Sequence, residues 1–173
     1  MTKQTQEEKP AVHPSQRGVF AYELHKQMTL NPSIYLLMGD LGWGMFDRIR
    51  EDYPNRALSA GASEQAMLDM AVGLAHTGKI PVVYSITPFL IYRAFETLRT
   101  YIDHERVNVK LIGSGRDKDY AHDGFSHDAT DVKKILDTLP TIGQLYPETK
   151  EEIPTMLEHM LRFDGPLFIS LKR

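Results

Sequence analysis

The chain has 173 residues, a length that suits one domain with its own hydrophobic core. Its formal net charge of -3 gives no electrostatic reason to expect nucleic acid or an anionic membrane as a partner. The sequence contains no cysteine, no apolar run of membrane-spanning length and no signal-peptide core, so disulfides and thiol chemistry are excluded and a cytoplasmic protein is expected.

The first third of the chain predicts a tail, a helix and a strand. The polar, proline-containing residues 1–16 are expected to form a flexible N-terminal tail, and residues 17–173 a single domain. A helix is predicted over 17–30, followed by a continuous apolar run at 34–38 that is typical of a strand buried on both faces. The glycine-rich loop 39–44 then lies at the carboxyl end of that strand, where open α/β sheets bind ligands.

Strands and helices alternate over the rest of the sequence. The predicted elements are a short helix 45–53, a strand 57–59, a helix 64–76, a strand 80–86, a helix 89–101, a strand 107–112, a loop 113–126, a helix 128–138, a strand 142–145, a helix 150–162 and a strand 167–171. This alternation predicts a three-layer α/β/α fold with a mostly parallel, doubly wound sheet.

The helix at 64–76 has an unusual first residue. Ser63 stands at the expected N-cap position, so Glu64 projects from the first turn of a mostly apolar helix. A glutamate in a first turn is favoured by the helix dipole alone, which is the structural alternative to a chemical role. The predicted apolar face consists of Met67, Met70, Ala71 and Leu74.

Several stretches of the sequence resemble the pyrimidine-binding domain of transketolases. Gly61-Ala62-Ser63-Glu64-Gln65 matches that family's G-x-x-E-Q element, and a GK-I-P strand entry follows it in both. Further stretches agree in order and spacing with the family's D-A-D-L, R-A-[FWY]-[DE] and E-D-G-x-T-H elements, namely residues 38–41, 93–96 and 122–127. The resemblance covers residues 17 to about 171 and implies a fold of the thiamin-diphosphate-binding, pyrimidine-domain type.

The resemblance also implies a cofactor and a partner. Transketolases carry, ahead of this domain, one that holds the diphosphate and Mg²⁺ of thiamine diphosphate through a G-D-G…N motif, and a third domain behind it. Neither is found in this sequence. We therefore expect the aminopyrimidine-binding subunit of a split enzyme, with Mg²⁺ held by a separate diphosphate-binding chain in an α2β2 heterotetramer.

The expected cofactor residues follow from the matched positions. A carboxyl group bonded to pyrimidine N1′ promotes the imino tautomer that thiamine catalysis requires, and the resemblance assigns this role to Glu64. Phe89 matches the ring-stacking aromatic residue, and Tyr92 and Tyr84 are further candidates for the pocket wall. Asp40 matches an aspartate at the cofactor. The structural alternatives are core packing for the aromatic residues and a turn at the strand end for Asp40.

Three residues match substrate positions. His127 matches a histidine that contacts the substrate's hydroxyls and the reaction intermediate, and a histidine can donate or accept a proton near neutral pH. Asp123 matches a ligand of a substrate hydroxyl. His122 stands where the family usually has glutamate, so its role is open. The spacing of the three is no recognised metal-ligand pattern, and no metal site is expected on this chain.

The sequence departs from the family at the substrate phosphate. Transketolases bind a sugar phosphate with an arginine, a serine, a histidine and a second arginine. Arg17 matches the first arginine, whereas Gly44, Gly115 and Tyr146 stand at or near the other three positions.

Two other arginines are candidates for the phosphate. Arg116, beside the glycine in the histidine's place, could substitute for the missing contact. Arg93 matches an arginine that binds phosphate in deoxyxylulose-phosphate synthases, and its structural alternative is an ion pair with Glu96 on the same helix.

The function expected from the resemblance is transfer of a two-carbon ketol unit between sugars or sugar derivatives, in carbohydrate metabolism. Two alternatives remain open. One is a subunit of a related synthase or decarboxylase, resembling deoxyxylulose-phosphate synthase or sulfopyruvate decarboxylase. The other is a non-catalytic binding module that keeps the fold.

Overall fold

A single parallel sheet organises the molecule, whose computed structural model describes residues 14–173. The spatial order of its six strands is β2-β1-β3-β4-β6-β5, and every neighbouring pair is parallel. The strands are β1 (Ile34–Met38), β2 (Ala57–Ser59), β3 (Ile80–Ile86), β4 (Lys110–Ser114), β5 (Gly143–Leu145) and β6 (Leu167–Leu171).

Helices cover both faces of the sheet. They are α1 (Gln16–Leu30), α2 (Asp47–Asp52), α3 (Glu64–His76), α4 (Thr87–Tyr92), α5 (Phe95–Thr97), α6 (Val132–Leu136) and α7 (Ile153–Arg162). One hydrophobic core packs α1, α2 and α7 against one face, and a second core packs α3 to α6 against the other. The predicted three-layer α/β/α fold is confirmed.

The two cores follow from the alternation of side chains along the central strand β3. Val82 and Tyr84 belong to the core beneath α1 and α7, whereas Val83 between them belongs to the core beneath α3. The strand is buried on both faces, which explains why its sequence reads as a continuous apolar run. Ser85 interrupts that run on the α3 side.

Long, strongly patterned elements are found at their predicted bounds, namely α3, β1, β3 and β6. The predicted apolar face of α3 needs correction. Its buried residues are Glu64, Met67, Leu68, Ala71 and Val72, and Met70 lies on the exposed side. The face that packs on the sheet is therefore rotated about the helix axis, toward Leu68 and Val72 and away from Met70.

The predicted helix 89–101 is broken. The backbone leaves helical geometry at Ala94, where φ is -116° and ψ is 26°. A single turn, α5, follows this break, and the chain then continues as a π-helix over Leu98–His104. Ala94 is completely buried, so the break is part of the packed core.

Two further predictions were wrong in their bounds. The strand predicted at 107–112 begins at Lys110, because the amides of Val107 and Val109 donate to carbonyls in a turn. Of the helix predicted at 128–138, only α6 (Val132–Leu136) forms an α-helix. Ahead of it, Asp128 accepts a hydrogen bond from the Thr130 amide at 2.8 Å, which holds a turn in place of the first helical residues.

The first helix, α1, begins one residue earlier than predicted. Gln16 is buried in the first turn of α1, where its side chain donates to the Pro147 carbonyl at 3.0 Å and accepts from the Lys172 amide at 2.8 Å. The predicted tail up to residue 13 lies outside the described residues. Within residues 14–173, no helix has the length and apolar character needed to cross a membrane.

Candidate functional site

Glu64 is a buried carboxylate at the carboxyl edge of the sheet. It opens α3, and only 4% of the residue is exposed. Its Oε1 accepts a hydrogen bond from the Ser85 hydroxyl at 3.1 Å, and its Oε2 accepts one from Arg93 Nη1 at 2.9 Å. Ser63 holds the predicted N-cap position, but we find no capping hydrogen bond from its side chain in the described part of the chain. Neighbouring strands and helices therefore fix both carboxylate oxygens.

The backbone leaves room for this carboxylate at Gly39, the residue that directly follows β1. A Cβ atom placed there would lie 3.5 Å from Glu64 Oε1 and 3.0 Å from the Leu41 side chain. A larger side chain at this position would crowd the carboxylate, so the glycine contributes to the shape of the site.

Phe89 lies on α4, and Arg93 connects it with Glu64. The Arg93 guanidinium covers its ring, with a distance of 3.6 Å from Cζ to the ring centroid. The ring of His127 meets it nearly edge-on, with centroids 4.7 Å apart. We call Glu64, Phe89, Arg93 and His127 the carboxylate cluster. Two of its members were predicted at the cofactor and two at the substrate, and the fold brings them together.

Two more of the predicted substrate residues lie on the turn that precedes His127. His122 and Asp123 are exposed on the turn that precedes His127, with His122 Nε2 3.5 Å from the Asp123 carboxylate. His122 also lies 3.2 Å from Arg173 Nη1. Asp40 is exposed on the loop after β1. These polar side chains are therefore open to solvent on loops that follow β1 and β4.

A cavity of about 660 Å³ opens on the other side of the same edge, between α1 and the loop 39–46. We call it the α1 cavity. Aliphatic and aromatic side chains form most of its wall, and Arg17, Arg48 and His25 supply the basic groups. Trp43, 70% exposed, stands on its rim.

Tyr84, which was predicted for the wall of the cofactor pocket, instead forms the buried side of the α1 cavity, on the face of β3 opposite α3 and Glu64. Burial raises the pKa of the Tyr84 hydroxyl. Arg17 Nη1 donates to the Tyr120 hydroxyl at 2.6 Å, while its Nε is buried with no hydrogen-bond partner among the described residues. Arg17 thus supplies a cation to the wall of the cavity.

The loop that borders the α1 cavity is held by Arg50. Its guanidinium stacks on the Trp43 ring at 4.3 Å and donates to the carbonyls of Leu41 and Gly42 at 3.4 Å. An ion pair with Asp47 at 2.9 Å completes these contacts. The loop is therefore anchored to α2.

The carboxylate cluster and the α1 cavity are neighbours across β3. Tyr84 and Ile86 line the cavity, and Ser85 between them binds Glu64. Asp123 lines the cavity and stands four residues before His127 of the cluster. A ligand bound at the sheet edge can therefore contact both.

Besides Arg17 and Tyr84, three residues considered in the sequence analysis have their contacts outside the cluster. Arg116 donates to Glu148 at 2.8 Å and to the carbonyls of Pro147 and Ser170, so its guanidinium ties together two loops. Tyr92 donates to Asp131, and burial raises the pKa of its hydroxyl. Tyr146, which stands near the place of the family's second arginine, is half-buried, and burial raises its pKa to about 12.

Sequence reasoning did not identify Ser85 and Tyr120. The signal for Ser85 was present, because a hydroxyl in the middle of a buried apolar strand needs a polar partner. Tyr120 had no sequence signal of its own, and only the structure relates it to Gly115. There φ is +84° and a Cβ atom would lie 2.3 Å from the Tyr120 ring. The tyrosine ring therefore occupies the space that a side chain at this position would need.

Comparison with known proteins identifies the family of this domain. A family model described as "Transketolase, pyrimidine binding domain" matches residues 13–173. An "Uncharacterized 33.6 kDa protein in fasciation locus" from Rhodococcoides fascians is 27% identical over 167 residues, which cover 96% of this chain and 54% of that protein. A "Putative transketolase C-terminal section" from Methanocaldococcus jannaschii is 28% identical over 137 residues, covering 79% of this chain and 42% of that protein.

Among solved structures, one described as "Split gene transketolase, inactive beta4 tetramer" superposes with a TM-score of 0.81 at 26% identity. The match covers 92% of this chain and 52% of that one. The chain thus spans about half the length of the proteins it matches.

Proposed function

The chain belongs to the family of transketolase pyrimidine-binding domains, and on this premise we propose that it is the pyrimidine-binding subunit of a split, thiamine-diphosphate-dependent transketolase-like enzyme. The proposed reaction transfers a two-carbon ketol unit between sugars or sugar derivatives. When bound, thiamine diphosphate supplies a carbanion at C2 of its thiazolium ring, formed with the help of its own aminopyrimidine.

One observation carries the proposal. The buried Glu64 carboxylate presents Oε2 to a planar cationic group that is stacked on Phe89. An aminopyrimidine is also planar and, when protonated at N1′, presents an N–H donor in its plane. The residues present therefore suit the pyrimidine end of this cofactor.

The side chains have separate roles in this proposal. Glu64 exchanges a proton with pyrimidine N1′, and Ser85 holds its other oxygen. Phe89 supplies the flat wall on which the ring stacks. His127 and Asp123, at the open end of the cluster, bind hydroxyl groups of the substrate.

A separate chain is proposed to hold the diphosphate and Mg²⁺. The names "transketolase C-terminal section" and "split gene transketolase" show that relatives of this domain occur as separate sections. Large apolar side chains stand exposed at the sheet edge, with Trp43 70% and Phe125 91% exposed. Such exposure beside a binding site is typical of a surface that another chain covers, which supports a partner chain. The assembly that we propose for the two chains is an α2β2 heterotetramer.

Reconstitution tests the proposal. The chain is purified alone and together with the diphosphate-binding chain that copurifies with it, and ketol transfer is followed with thiamine diphosphate, Mg²⁺ and a panel of ketose donors and aldose acceptors. Transfer by the complex and none by either chain alone is expected. Robust transfer by this chain alone would refute the separate partner, and a complex that binds the cofactor but releases only a decarboxylated or condensed product would favour the synthase or decarboxylase alternative.

A further inference from the structure

We propose that Arg93 is an internal competitor for the aminopyrimidine: its guanidinium takes the contacts of the pyrimidine ring and must leave before the cofactor binds. The inference rests on the proposed function, since it concerns the same binding site. It assigns to Arg93 a role in cofactor binding, in addition to the phosphate contact that the sequence suggested.

The geometry of Arg93 supports this competition. Its Nη1 donates to Glu64 Oε2 at 2.9 Å, and its Cζ lies 3.6 Å from the centre of the Phe89 ring. These are the two contacts that the proposed function requires of the pyrimidine, one in the plane of the ring and one on its face. Two planar groups cannot occupy one face of Phe89 and one oxygen of Glu64 at the same time.

The chemistry of the two groups is also alike. A guanidinium is planar and cationic and carries its N–H donors in the plane. A 4-aminopyrimidine protonated at N1′ is also a planar cation, and its N1′–H donor lies in the plane of the ring. A site that stacks and hydrogen-bonds one of them is therefore suited to the other.

The position of Arg93 allows its guanidinium both to compensate the charge of Glu64 and to move away from it. A buried carboxylate without a cation is costly, and Arg93 compensates the charge of Glu64. The Arg93 side chain is nevertheless 46% exposed, and among residues 14–173 we find no hydrogen bond from its guanidinium except the one to Glu64. It stands where α4 ends, next to the backbone break at Ala94. Its departure therefore leaves the packed core intact.

The competition has a measurable size. The apparent dissociation constant of a ligand equals its intrinsic value divided by the fraction of chains that are competent to bind. If about one chain in ten has Arg93 withdrawn, removal of the guanidinium tightens binding about tenfold.

The test uses the purified chain and 4-amino-2,5-dimethylpyrimidine as the probe, titrated by ligand-observed NMR. Arg93→Ala is expected to bind the probe about tenfold more tightly than the wild type, and Arg93→Gln is measured as well in case the alanine variant does not fold. The matched control is Arg99→Ala, an exposed arginine on the following π-helix, which should bind as the wild type does. In the wild type, saturating probe should also shift the guanidinium Nε–H resonance of Arg93.

The outcomes separate the two proposals. Equal or weaker binding by the Arg93 variants, or an unmoved Arg93 resonance at saturation, overturns the competition. If Phe89→Ala and Glu64→Gln still abolish binding in that case, the proposed function stands without it. If no variant binds the probe at millimolar concentration, both proposals are wrong.

Discussion

The acidity of Glu64, rather than its shape, is what the proposed reaction needs. Glutamine has nearly the same shape and can still accept the Ser85 hydrogen bond, but it cannot exchange a proton with pyrimidine N1′. We expect Glu64→Gln to lower the turnover of the reconstituted enzyme by about 10²–10⁴-fold, the usual contribution of a general acid or base. The midpoint of urea denaturation should change little, because the ion-pair partner is half exposed to water.

Glu96→Gln is the matched control, because Glu96 is exposed on α5 and has no assigned role. Its turnover should equal that of the wild type. Near-normal turnover by a homogeneous Glu64→Gln enzyme would remove Glu64 from the mechanism and leave the helix-dipole explanation of its position.

Lys110 makes a separate prediction about pH, because it is a fully buried amine on β4. Its Nζ donates to the carbonyls of Phe163 and Gly165 at 2.7 Å each, and burial lowers its pKa from 10.5 to about 8. Between pH 8 and pH 10 the unfolded chain keeps a proton that the folded chain has released. The free energy of unfolding therefore rises with pH in this interval, by about 2 kcal/mol from Lys110 alone.

The measurement is urea denaturation of the wild type and of Lys110→Met at pH 8 and pH 10. Methionine fills a similar volume without titrating, so subtracting its values removes the contribution of other groups, including the tyrosines. The wild-type value minus the variant value should grow by about 2 kcal/mol. A difference that stays constant or shrinks would mean that Lys110 titrates alike in both states.

Secondary-structure elements show which kinds of information the sequence contained. The bounds of α3, β1 and β3 could be predicted because their signals are local: an apolar period, a capping position or a continuous apolar run. The break at Ala94 could not, because it satisfies the packing of a buried alanine among distant residues. The Asp128 turn that shortens α6 is different, because the hydrogen bond from the Thr130 amide to Asp128 is local and the helical apolar pattern does not show it.

The candidate site also combines residues with a sequence signal and contacts that have none. Motifs in register placed Glu64, Phe89 and His127, and the fold brings their side chains together. Arg93 was expected to pair with a neighbour on its own helix if it had no ligand, but its partner is 29 residues away. Arg116 was a candidate for the substrate, yet its guanidinium is taken up by Glu148 and by backbone carbonyls. Contacts over such separations have no local sequence signal.

The loop after β4 offers a prediction at the level of an element. Gly115 and Gly44 both have positive φ, +84° and +77°, so alanine is strained at either position. A Cβ at Gly115 would also overlap the Tyr120 ring at 2.3 Å, whereas nothing lies within 4 Å of one at Gly44. We expect Gly115→Ala to destabilise the fold by about 1–3 kcal/mol more than Gly44→Ala, the usual cost of overpacking.

Denaturation of the two glycine variants in parallel provides the measurement, with Gly44→Ala as the control for backbone strain alone. A third variant, Gly115→Ala combined with Tyr120→Ala, should recover most of the difference. Equal losses for the two single variants would show that the Tyr120 ring moves aside freely and does not fix this loop.

At the scale of the whole molecule, the sheet edge joins two chemically different regions. The carboxylate cluster is small, polar and suited to a cofactor ring. The α1 cavity is about 660 Å³, a volume that falls within the range of sites for whole small molecules. Its wall is largely apolar, with Trp43 at the rim and the cationic Arg17 among the lining residues. A substrate that reacts at the cluster can therefore extend a bulky group into the α1 cavity.

This arrangement bears on the choice of substrate. In the transketolases that the sequence resembles, side chains at or near the positions of Gly44, Gly115 and Tyr146 hold a sugar phosphate. A glycine has no side-chain donor, and a tyrosine offers one neutral hydroxyl in place of a guanidinium. Each hydrogen bond to a charged group contributes about 1.5–3 kcal/mol, so losing two or three costs a simple sugar phosphate several powers of ten in transition-state binding. Arg116 cannot compensate, because its guanidinium is engaged elsewhere.

We therefore expect the reconstituted enzyme to disfavour xylulose 5-phosphate and ribose 5-phosphate and to prefer a modified or nucleotide-linked sugar. The planar or apolar group of such a sugar would lie in the α1 cavity, and an anionic linkage would meet Arg17. The measurement is kcat/KM for the pentose-phosphate pair against a panel of modified sugars. Arg17→Ala should lower kcat/KM for the anionic members of the panel more than for the neutral ones. If the pentose phosphates are the best substrates, the phosphate is held by another group, and Arg93, once displaced from Glu64, is the next residue to replace.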